Sequence, residues 1–514
     1  MRPISLPVQF LLIAFATALV TSGIWVGAYF AVRSSPFSAT KVEIKKDPSG
    51  CGAKPVAKPI PPNPDPKCLQ SCQYSLVESI PVGLKFDSPI FNSTYDTWME
   101  LMNRAESEVD IIGYYFSLNP EDTGDGFKND PTADEVSDTV IFIFKGISIF
   151  KNIIKTAKRN ISIRITQNSA MPGNAAVAET NFLEKNGYAQ VRSMNFTNLL
   201  GSGILHTKAW IVDKKHFYVG SANLDWRSLT QVKELGVGVF DCPCLANDIA
   251  KLFELNWDMG APGKVVPETF PDQMATNYNQ QNPMEVFLAG HRSAVYMSAS
   301  PPQLRAAGRE NDGDAILKTI KNAQKFIHIS VMDYIPATLY LKYNVYWPLI
   351  DEALRSAAYD RGIHVRFMMS KWRYTNRDFY SHLHSLADLN GHLACRKYYD
   401  PKLGRNECIN GTTGSIEVRL FEVPLAGWEH IPYARVNHNK YMVTDNTAYI
   451  GTSNWSGDYF LWTGGIGFVV QGADITEPSE VVKQLNEAIF LRDWNSNYTR
   501  PISDYDNNGN LIRK

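Results

Sequence analysis

The sequence has little cysteine and no excess of charge of either sign. Its 514 residues include 7 cysteines, too few for a scaffold built on disulfides, so a hydrophobic core must carry the fold. The 51 basic and 52 acidic side chains leave a net charge of −1. This balance argues against a large uniform basic surface and favours local binding of any polyanion. Apolar residues make up 44% and charged residues 20% of the chain, which is the composition of a globular protein.

Long hydrophobic runs are equally scarce, and the one present lies near the N-terminus. No charged residue occurs between Arg2 and Arg33, and residues 8–32 are predominantly apolar. A bilayer span takes about 20 such residues, whereas a cleaved signal peptide has an apolar region of roughly 7–15. We therefore expect residues 1–33 to form a single signal-anchor transmembrane segment. Most flanking basic residues follow it, so charge alone does not decide its orientation.

Six Asn-x-Ser/Thr triplets follow the predicted span and favour a lumenal body. The sixth triplet begins at Asn454, and the expected glycan acceptors are Asn92, Asn160, Asn195, Asn410 and Asn497. Six prolines fall within residues 51–68, and such a stretch favours extended polyproline geometry. We expect a semi-rigid lumenal stalk over residues 34–75.

Six cysteines lie in three close groups, which are Cys68 and Cys72, Cys242 and Cys244, and Cys395 and Cys408. Four of them could in principle hold zinc. Beside the triplets and a secretory anchor, disulfides are the favoured interpretation, with their connectivity open. Cys51 is then free or intermolecular.

From about residue 76 the chain alternates strand-like and helix-like segments, which is the pattern of an α/β protein with mixed sheets flanked by helices. Apolar runs predict strands at residues 109–115, 161–166, 326–332 and 364–369. Residues 348–359 predict a helix, because they carry one apolar stripe with a proline near the start and a glycine just past the end.

A repeated motif gives the strongest signal. Residues 206–213 have the pattern His-x-Lys-x4-Asp and are followed by Gly-Ser-Ala-Asn at residues 220–223. Residues 438–445 repeat it and are followed by Gly-Thr-Ser-Asn at residues 451–454. Each copy is also trailed by Phe-x-x-x-Trp. Two copies at matching offsets predict two homologous halves, residues 76–265 and 266–514, that face one active site.

The residue types in this motif suit phosphodiester chemistry. Alternate residues of an extended strand share a face, so each histidine points the same way as its lysine. A histidine can attack phosphorus or move a proton near neutral pH, and a pair can do both. Lysine and asparagine stabilise the non-bridging oxygens. We expect the catalytic motifs to comprise His206, Lys208, Asp213, His438, Lys440 and Asp445, and we expect substrate contacts from Ser221, Asn223, Ser453 and Asn454. No metal or other cofactor is expected.

These motifs resemble those of the phospholipase D superfamily, and the resemblance covers residues 76–500. Residues 76–81, 220–236 and 431–441 are most similar to the type-three and type-four members, single-pass lysosomal proteins that act as 5′ exonucleases on single-stranded nucleic acid. The resemblance implies two phospholipase-D-type domains in one pseudo-two-fold body.

Roles for single residues follow from the same resemblance. It implies that His206 is the nucleophile that forms a phosphohistidine and that His438 protonates the leaving oxygen. Glu234, grouped with the substrate-contacting residues, lies where the superfamily has a carboxylate that orients a catalytic histidine. The matching position in the second half is taken as Ile466, which has no carboxylate. Asp213 and Asp445 are expected to serve structure rather than proton transfer.

The substrate is less tightly defined by the sequence. A membrane anchor beside this motif equally fits a phospholipase or phosphatidyltransferase, and a third hypothesis is a binding protein with an inactive site, which the intact motifs disfavour. Residues 371–377 interleave basic and aromatic side chains as single-strand grooves do, although an ordinary loop also has this pattern. Expected partners are single-stranded nucleic acid or phospholipid, the membrane and a second copy in a homodimer. The expected location is the endoplasmic reticulum, Golgi and endosome or lysosome, as a type II membrane protein with a lumenal catalytic body or as a soluble lysosomal form released from it.

Overall fold

The computed structural model describes residues 72–87, 91–119, 138–169, 177–393, 397–408, 413–473 and 478–512. The predicted anchor and nearly all of the predicted stalk lie outside these residues. Within the described ranges, no helix is long and apolar enough to cross a membrane.

Ten strands are described between residues 73 and 240. They are β1 (Gln73–Ser79), β2 (Asn92–Ser93), β3 (Glu108–Gly113), β4 (Phe116–Ser117), β5 (Ser162–Asn168), β6 (Gln190–Met194), β7 (Ala209–Val212), β8 (His216–Gly220), β9 (Leu224–Asp225) and β10 (Glu234–Phe240). Eight of them form a mixed sheet in the order β2-β1-β10-β8-β7-β3-β5-β6, and β4 pairs with β9 separately.

The second half repeats this architecture with strands described between residues 284 and 501. They are β11 (Met284–Leu288), β12 (His291–Ser300), β13 (Glu310–Asn311), β14 (Phe326–Val331), β15 (His364–Ser370), β16 (Lys397–Asp400), β17 (Arg405–Cys408), β18 (Ser415–Phe421), β19 (Lys440–Thr444), β20 (Thr447–Gly451), β21 (Gly465–Gly472) and β22 (Thr499–Pro501). The sheet order is β11-β12-β21-β20-β19-β14-β15-β18-β22 with β13 beside β12, and β16 pairs with β17. The run β10-β8-β7-β3-β5 thus matches β21-β20-β19-β14-β15.

Helices flank both sheets. The described α-helices are α1 (Thr94–Arg104), α2 (Asp138–Ala157), α3 (Ala178–Lys185), α4 (Phe196–Leu200), α5 (Trp226–Thr230), α6 (Pro243–Met259), α7 (Asp312–Asn322), α8 (Leu349–Arg361), α9 (Asp378–Ala387), α10 (Gly457–Leu461), α11 (Glu480–Gln484) and α12 (Leu491–Trp494). Short 3-10 turns lie at Asp272–Met274, Pro302–Leu304 and Ile502–Asp504, and a π-helical segment lies at Leu485–Phe490.

The strands and the helix predicted from apolar patterns are confirmed within a few residues. Helix α8 begins after Pro348 and ends at Gly362, whose φ of 68° is the left-handed conformation that glycine adopts without a Cβ penalty. The repeat also extends to helix starts: Ser93 accepts a hydrogen bond from the N–H of Asp96 at α1, and Asn311 does the same for Asp314 at α7.

The two Phe-x-x-x-Trp pairs play equivalent parts. Phe253 and Trp257 stack on α6 with ring centroids 5.8 Å apart, and Phe490 and Trp494 stack 5.6 Å apart at the C-terminal helix. An arginine lies over each pair, Arg164 over Phe253 and Arg419 over Trp494. One hydrophobic cluster holds side chains from both sheets, so the halves share a core.

The cysteines are only partly described. Cys72 is bonded to Cys242 across 170 residues, so the bridge ties the start of β1 to the residue before α6. Cys244 and Cys408 are also disulfide-bonded, whereas Cys51, Cys68 and Cys395 lie outside the described residues.

The Asn-x-Ser/Thr triplets divide by exposure. Asn92, Asn160, Asn195 and Asn497 are exposed, as a glycan acceptor must be, and Asn410 lies outside the described residues. Asn454 is 5% exposed, so its triplet belongs to the interior rather than to a glycosylation site.

Candidate functional site

Each motif histidine is held in place by the opposite half of the body. His206 lies just before β7, and its N–H donates to the carbonyl of Gly464 at 2.9 Å. His438 lies just before β19, and its N–H donates to the carbonyl of Lys233 at 2.7 Å. Both histidines are buried. The crossed pairing brings the two motif copies to one site at the contact between the halves.

The Nδ1 atoms of both rings are occupied. Nδ1 of His206 lies 2.8 Å from the carbonyl oxygen of Thr452. Because a carbonyl only accepts, this Nδ1 carries the hydrogen, and Nε2 of the neutral ring holds the lone pair. Nδ1 of His438 lies 2.8 Å from Oε2 of Glu234. In both rings Nε2 is therefore the atom available to a substrate.

Glu234 is a positioning residue that acts on the histidine of the other half. It is fully buried at the start of β10, and its Oε2 also accepts a hydrogen bond from Oγ of Ser221 at 2.6 Å. Ser221, expected to contact substrate, thus has its hydroxyl engaged with Glu234. Within the described contacts both residues serve His438.

The register of the sheets corrects the position expected to match Glu234. Gly236 pairs with Gly220 in the first half, and Gly467 pairs with Gly451 in the second. Glu234 therefore corresponds to Gly465 and not to Ile466.

A side chain at Gly465 would force its neighbours to move, because a Cβ there would lie 2.2 Å from Oγ of Ser453 and 2.9 Å from Oγ of Ser300. The backbone carbonyl of Thr452 takes the place of a carboxylate for His206. The position that corresponds to Glu234 in the second half is thus Gly465, one residue before Ile466, and it also lacks a carboxylate.

Each motif lysine donates a hydrogen bond to the backbone carbonyl of its own histidine. Nζ of Lys208 donates to the carbonyl of His206 at 2.5 Å, and Nζ of Lys440 donates to the carbonyl of His438 at 2.7 Å. Burial lowers the pKa of Lys208 well below its usual range, with Lys440 adding to the effect. Burial also lowers the pKa of Lys440 to about 7, against the opposing charges of Glu234 and Asp333. A phosphate bound between the ammonium groups would raise both pKa values.

The histidines differ in their electrostatic surroundings. Burial lowers the pKa of His206 well below its usual range, and Lys208, Lys440 and His438 lower it further. Burial also lowers the pKa of His438, but the Glu234 carboxylate opposes that shift. His206 has no such anion, so protonation is easier at His438. If only one of the two rings is protonated, the surroundings therefore favour His438 over His206 as the ring that carries the proton.

The asparagines of the motif lie at the site with partners that the sequence did not reveal. Nδ2 of Asn223 donates to Oη of Tyr115 at 3.4 Å. Nδ2 of Asn454 donates to Oη of Tyr459 at 3.2 Å and to Oδ2 of Asp333 at 3.4 Å. Ser453, the last expected contact, is buried and its Oγ has no partner among the described residues.

The aromatic wall around His206 was also missed. The ring of Tyr114 lies 5.3 Å from the His206 ring, and that of Tyr459 lies 5.1 Å from it. Tyr115 and Asp333 follow the equivalent strands β3 and β14 at matching offsets. The sequence could have indicated Tyr115 and Asp333, because each lies two residues beyond the end of its strand. This equivalence is visible only when the two halves are aligned.

The motif aspartates are engaged away from the histidines. The Asp213 carboxylate accepts backbone hydrogen bonds from Glu106, Ser107 and Glu108 at 2.7–2.9 Å. The Asp445 carboxylate accepts those of Gln324 and Lys325 at 2.9 and 3.0 Å. Each carboxylate anchors the turn that leads into β3 or β14. In the described residues no group of three or more His, Cys, Asp or Glu side chains could hold a metal ion.

A duplicated α/β body whose two His-x-Lys segments meet at one site defines the class of PLD-like proteins. A family model described as "PLD3/4, PLD-like domain" matches residues 87–399, and one described as "Cardiolipin synthase, PLD-like domain" matches residues 316–494. The chain belongs to the PLD3/4 family of PLD-like proteins, which confirms the resemblance and the two-domain mixed α/β fold expected from the sequence.

Curated relatives agree with this assignment. The chain is 41% identical over 444 residues to "5'-3' exonuclease PLD3" of Xenopus tropicalis, covering 86% of this chain and 83% of the relative. It is 39% identical over 457 residues to "5'-3' exonuclease PLD3" of Homo sapiens, covering 88% and 86%. It is 39% identical over 436 residues to a "Probable phospholipase D" of Caenorhabditis elegans, covering 85% and 72%.

Proposed function

We propose that this chain is a phosphodiesterase that degrades single-stranded DNA and RNA from the 5′ end through a covalent phosphohistidine. The observation that carries the proposal is the reciprocal hold on His206 and His438, which leaves Nε2 of each ring for the substrate. The names of the relatives at about 40% identity supply the exonuclease activity and its direction.

In the first step, Nε2 of His206 attacks the phosphorus of the scissile phosphodiester. A P–N bond forms as the bond between phosphorus and the leaving oxygen breaks. Nε2 of protonated His438 gives its proton to that oxygen. The Glu234 carboxylate keeps His438 oriented and stabilises its charged form.

In the second step, water attacks the phosphorus of the phosphohistidine and gives a proton to His438. The P–N bond breaks, and the electron pair returns to Nε2 of His206. Lys208 and Lys440 stabilise the non-bridging oxygens throughout, and Asn223 and Asn454 donate further hydrogen bonds. Both histidines end in the states in which they began.

A phospholipase or phosphatidyltransferase activity on membrane phospholipid is the second candidate. The match of residues 316–494 to the cardiolipin synthase model and the relative named a probable phospholipase D favour it. The chemistry differs only in the substrate and in whether water or an alcohol resolves the phosphohistidine.

The topology proposed from the sequence accompanies this function. Residues 1–33 anchor the chain as a type II membrane protein, and residues 34–75 form the stalk, whose last three residues begin strand β1. Residues 76–265 and 266–514 form the two domains in the lumen of the endomembrane system. Exposed Asn92, Asn160, Asn195 and Asn497 support the lumenal assignment. A homodimer remains part of the proposal.

The test uses the purified chain at acid pH with single-stranded oligonucleotides that have either a free or a blocked 5′ end. We expect stepwise shortening from the free end and protection by the block. His206→Ala and His438→Ala should lack activity, whereas Glu106→Gln, an exposed control, should keep it. Parallel vesicles with a primary alcohol measure phosphatidyl transfer. An intact free-ended oligonucleotide beside turnover of lipid would replace the first candidate with the second.

A further inference from the structure

A loop with exposed aromatic rings and internal hydrogen bonds lies beside the site of the catalytic histidines. It spans residues 333–348, between β14 and α8. The N–H of Thr338 donates to the carbonyl of Val345 at 2.8 Å, and that of Trp347 donates to the carbonyl of Pro336 at 2.9 Å. These bonds make the loop a short hairpin whose tip lies at residues 339–344.

The hairpin contacts helix α10 of the same half. Oδ1 of buried Asp458 accepts the N–H groups of Leu339 and Tyr340 at 2.6 and 3.0 Å. Trp347 stacks on Phe460 with ring centroids 5.4 Å apart. Asp458 and Phe460 both belong to α10, so this helix holds the start of the tip and the base of the hairpin.

Tyr340 connects this hairpin to the reaction centre. Its side chain is 66% exposed, yet its ring lies 6.2 Å from that of Tyr459. The Tyr459 ring in turn lies 5.1 Å from that of His206. Tyr340 thus contacts the wall of the catalytic site, with the single ring of Tyr459 between it and the proposed nucleophile.

The composition of the hairpin points to an uncharged partner. Residues 333–348 contain one acidic and one basic side chain, Asp333 and Lys342, and carry no net charge to attract phosphates or anionic headgroups. Tyr340, Tyr343 and Tyr346 are between 66% and 73% exposed. A neutral aromatic surface suits the π-face of a nucleobase, which stacks with little sequence preference.

We propose that Tyr340 is the stacking platform for a nucleobase flanking the scissile phosphate. This inference rests on the proposed nuclease function and specifies how the site grips one nucleotide of any sequence. The stack would place the base beside Tyr459, and the phosphate attached to it would then lie at His206. Stacking would add affinity that does not depend on charge in a chain whose net charge is −1.

The test compares wild type, Tyr340→Ala and Tyr340→Phe on oligonucleotides that are intact or carry one abasic position among the first four nucleotides. Stacking on one base predicts a roughly 5- to 150-fold higher KM for Tyr340→Ala, a near-normal kcat and normal kinetics for Tyr340→Phe. One abasic position should raise the wild-type KM by a similar factor and leave Tyr340→Ala unchanged. Tyr399→Ala, on the separate β16–β17 hairpin, is the matched control.

Several outcomes would overturn the inference. One is an unchanged KM in Tyr340→Ala, and another is an increase in KM from Tyr340→Ala that multiplies with the increase from the abasic site at every position. A third is loss of binding to phosphatidylserine vesicles by Tyr340→Ala with normal oligonucleotide kinetics, which would assign the hairpin to membranes. If wild type leaves all oligonucleotides intact, the proposed nuclease function itself fails. Normal wild-type turnover separates the two failures.

Discussion

Removing the charge of Glu234 should slow the reaction and narrow its pH range. In Glu234→Gln the amide oxygen can still accept from Nδ1 of His438. The same amide oxygen can also still accept from Oγ of Ser221, because Oε2 holds both of these bonds in the wild type. The geometry is thus kept while the carboxylate charge is lost.

The magnitude follows from the contact itself. The 2.8 Å bond joins two buried groups, and a hydrogen bond to a charged group contributes about 1.5–3 kcal/mol. If this stabilisation is present in the transition state, kcat/KM should fall roughly 10- to 150-fold. The Glu234 charge raises the pKa of His438 against the dominant effect of burial. Its loss lowers that pKa, so protonated His438 disappears at a lower pH.

The assay is the pH profile of kcat/KM on a free-ended oligonucleotide. The reaction needs neutral His206 and protonated His438, so the wild-type profile should be a bell whose limbs belong to the coupled pair. In Glu234→Gln the alkaline limb should move toward acid while the acid limb changes less. Glu106→Gln, which alters an exposed carboxylate, should reproduce the wild-type profile. An unmoved alkaline limb with kcat/KM within twofold of wild type would refute the role of His438 as the acid.

Three further predictions concern the supports of the site. Asp213→Asn should cost about 1–3 kcal/mol of folding stability and leave kcat close to wild type, as measured by denaturant titration and turnover; a loss of kcat as large as that of His206→Ala would instead place Asp213 in catalysis. Lys233 is fully buried, with its Nζ 2.7 Å from Oδ2 of Asp493, so Lys233→Met should lower the free energy of unfolding by about 3–5 kcal/mol. The double variant Lys233→Met with Asp493→Leu should recover part of that loss. Strictly additive losses would show that the pair is not coupled. Replacing Cys72 and Cys242 by alanine should lower the free energy of unfolding by about 2–5 kcal/mol, because their bridge closes a loop of 170 residues. The unfolding midpoint should fall with it, and an unchanged midpoint would contradict this.

The stability assigned to Asp213 also has a defined pH dependence. Burial alone would raise the pKa of Asp213, but the hydrogen bonds from residues 106–108 outweigh it and lower that pKa. A carboxyl group with a depressed folded pKa stabilises the fold above its unfolded pKa, and this contribution is lost as the pH falls through the folded pKa. The gap in stability between wild type and Asp213→Asn should therefore shrink at strongly acid pH.

Most of the fold could be predicted from local pattern. Strand β14 and helix α8 follow from apolar periodicity and from the residues that end helices, because these signals act over a few residues. The repeated His-x-Lys motif predicted two halves and one site, since matching offsets at such distance do not arise by chance.

The long-range relations could not be read in the same way. Glu234 was placed near a histidine, but that it serves His438 of the other half depends on how the two sheets pack. Its counterpart was misplaced at Ile466 because only the strand register shows that Gly465 occupies the equivalent position. Tyr459 was missed for the same reason, since α10 reaches His206 only after the halves come together.

The central claim, a covalent bond between phosphorus and His206, can be tested by trapping. A thymidine phosphodiester with a p-nitrophenolate leaving group needs no acid for its departure, so His438→Ala should form the intermediate and hydrolyse it slowly. After an alkaline quench, peptide mass spectrometry should find the nucleotidyl group on the peptide that contains His206. The same label on another residue, or p-nitrophenolate release by His206→Ala at the rate of His438→Ala, would contradict the account.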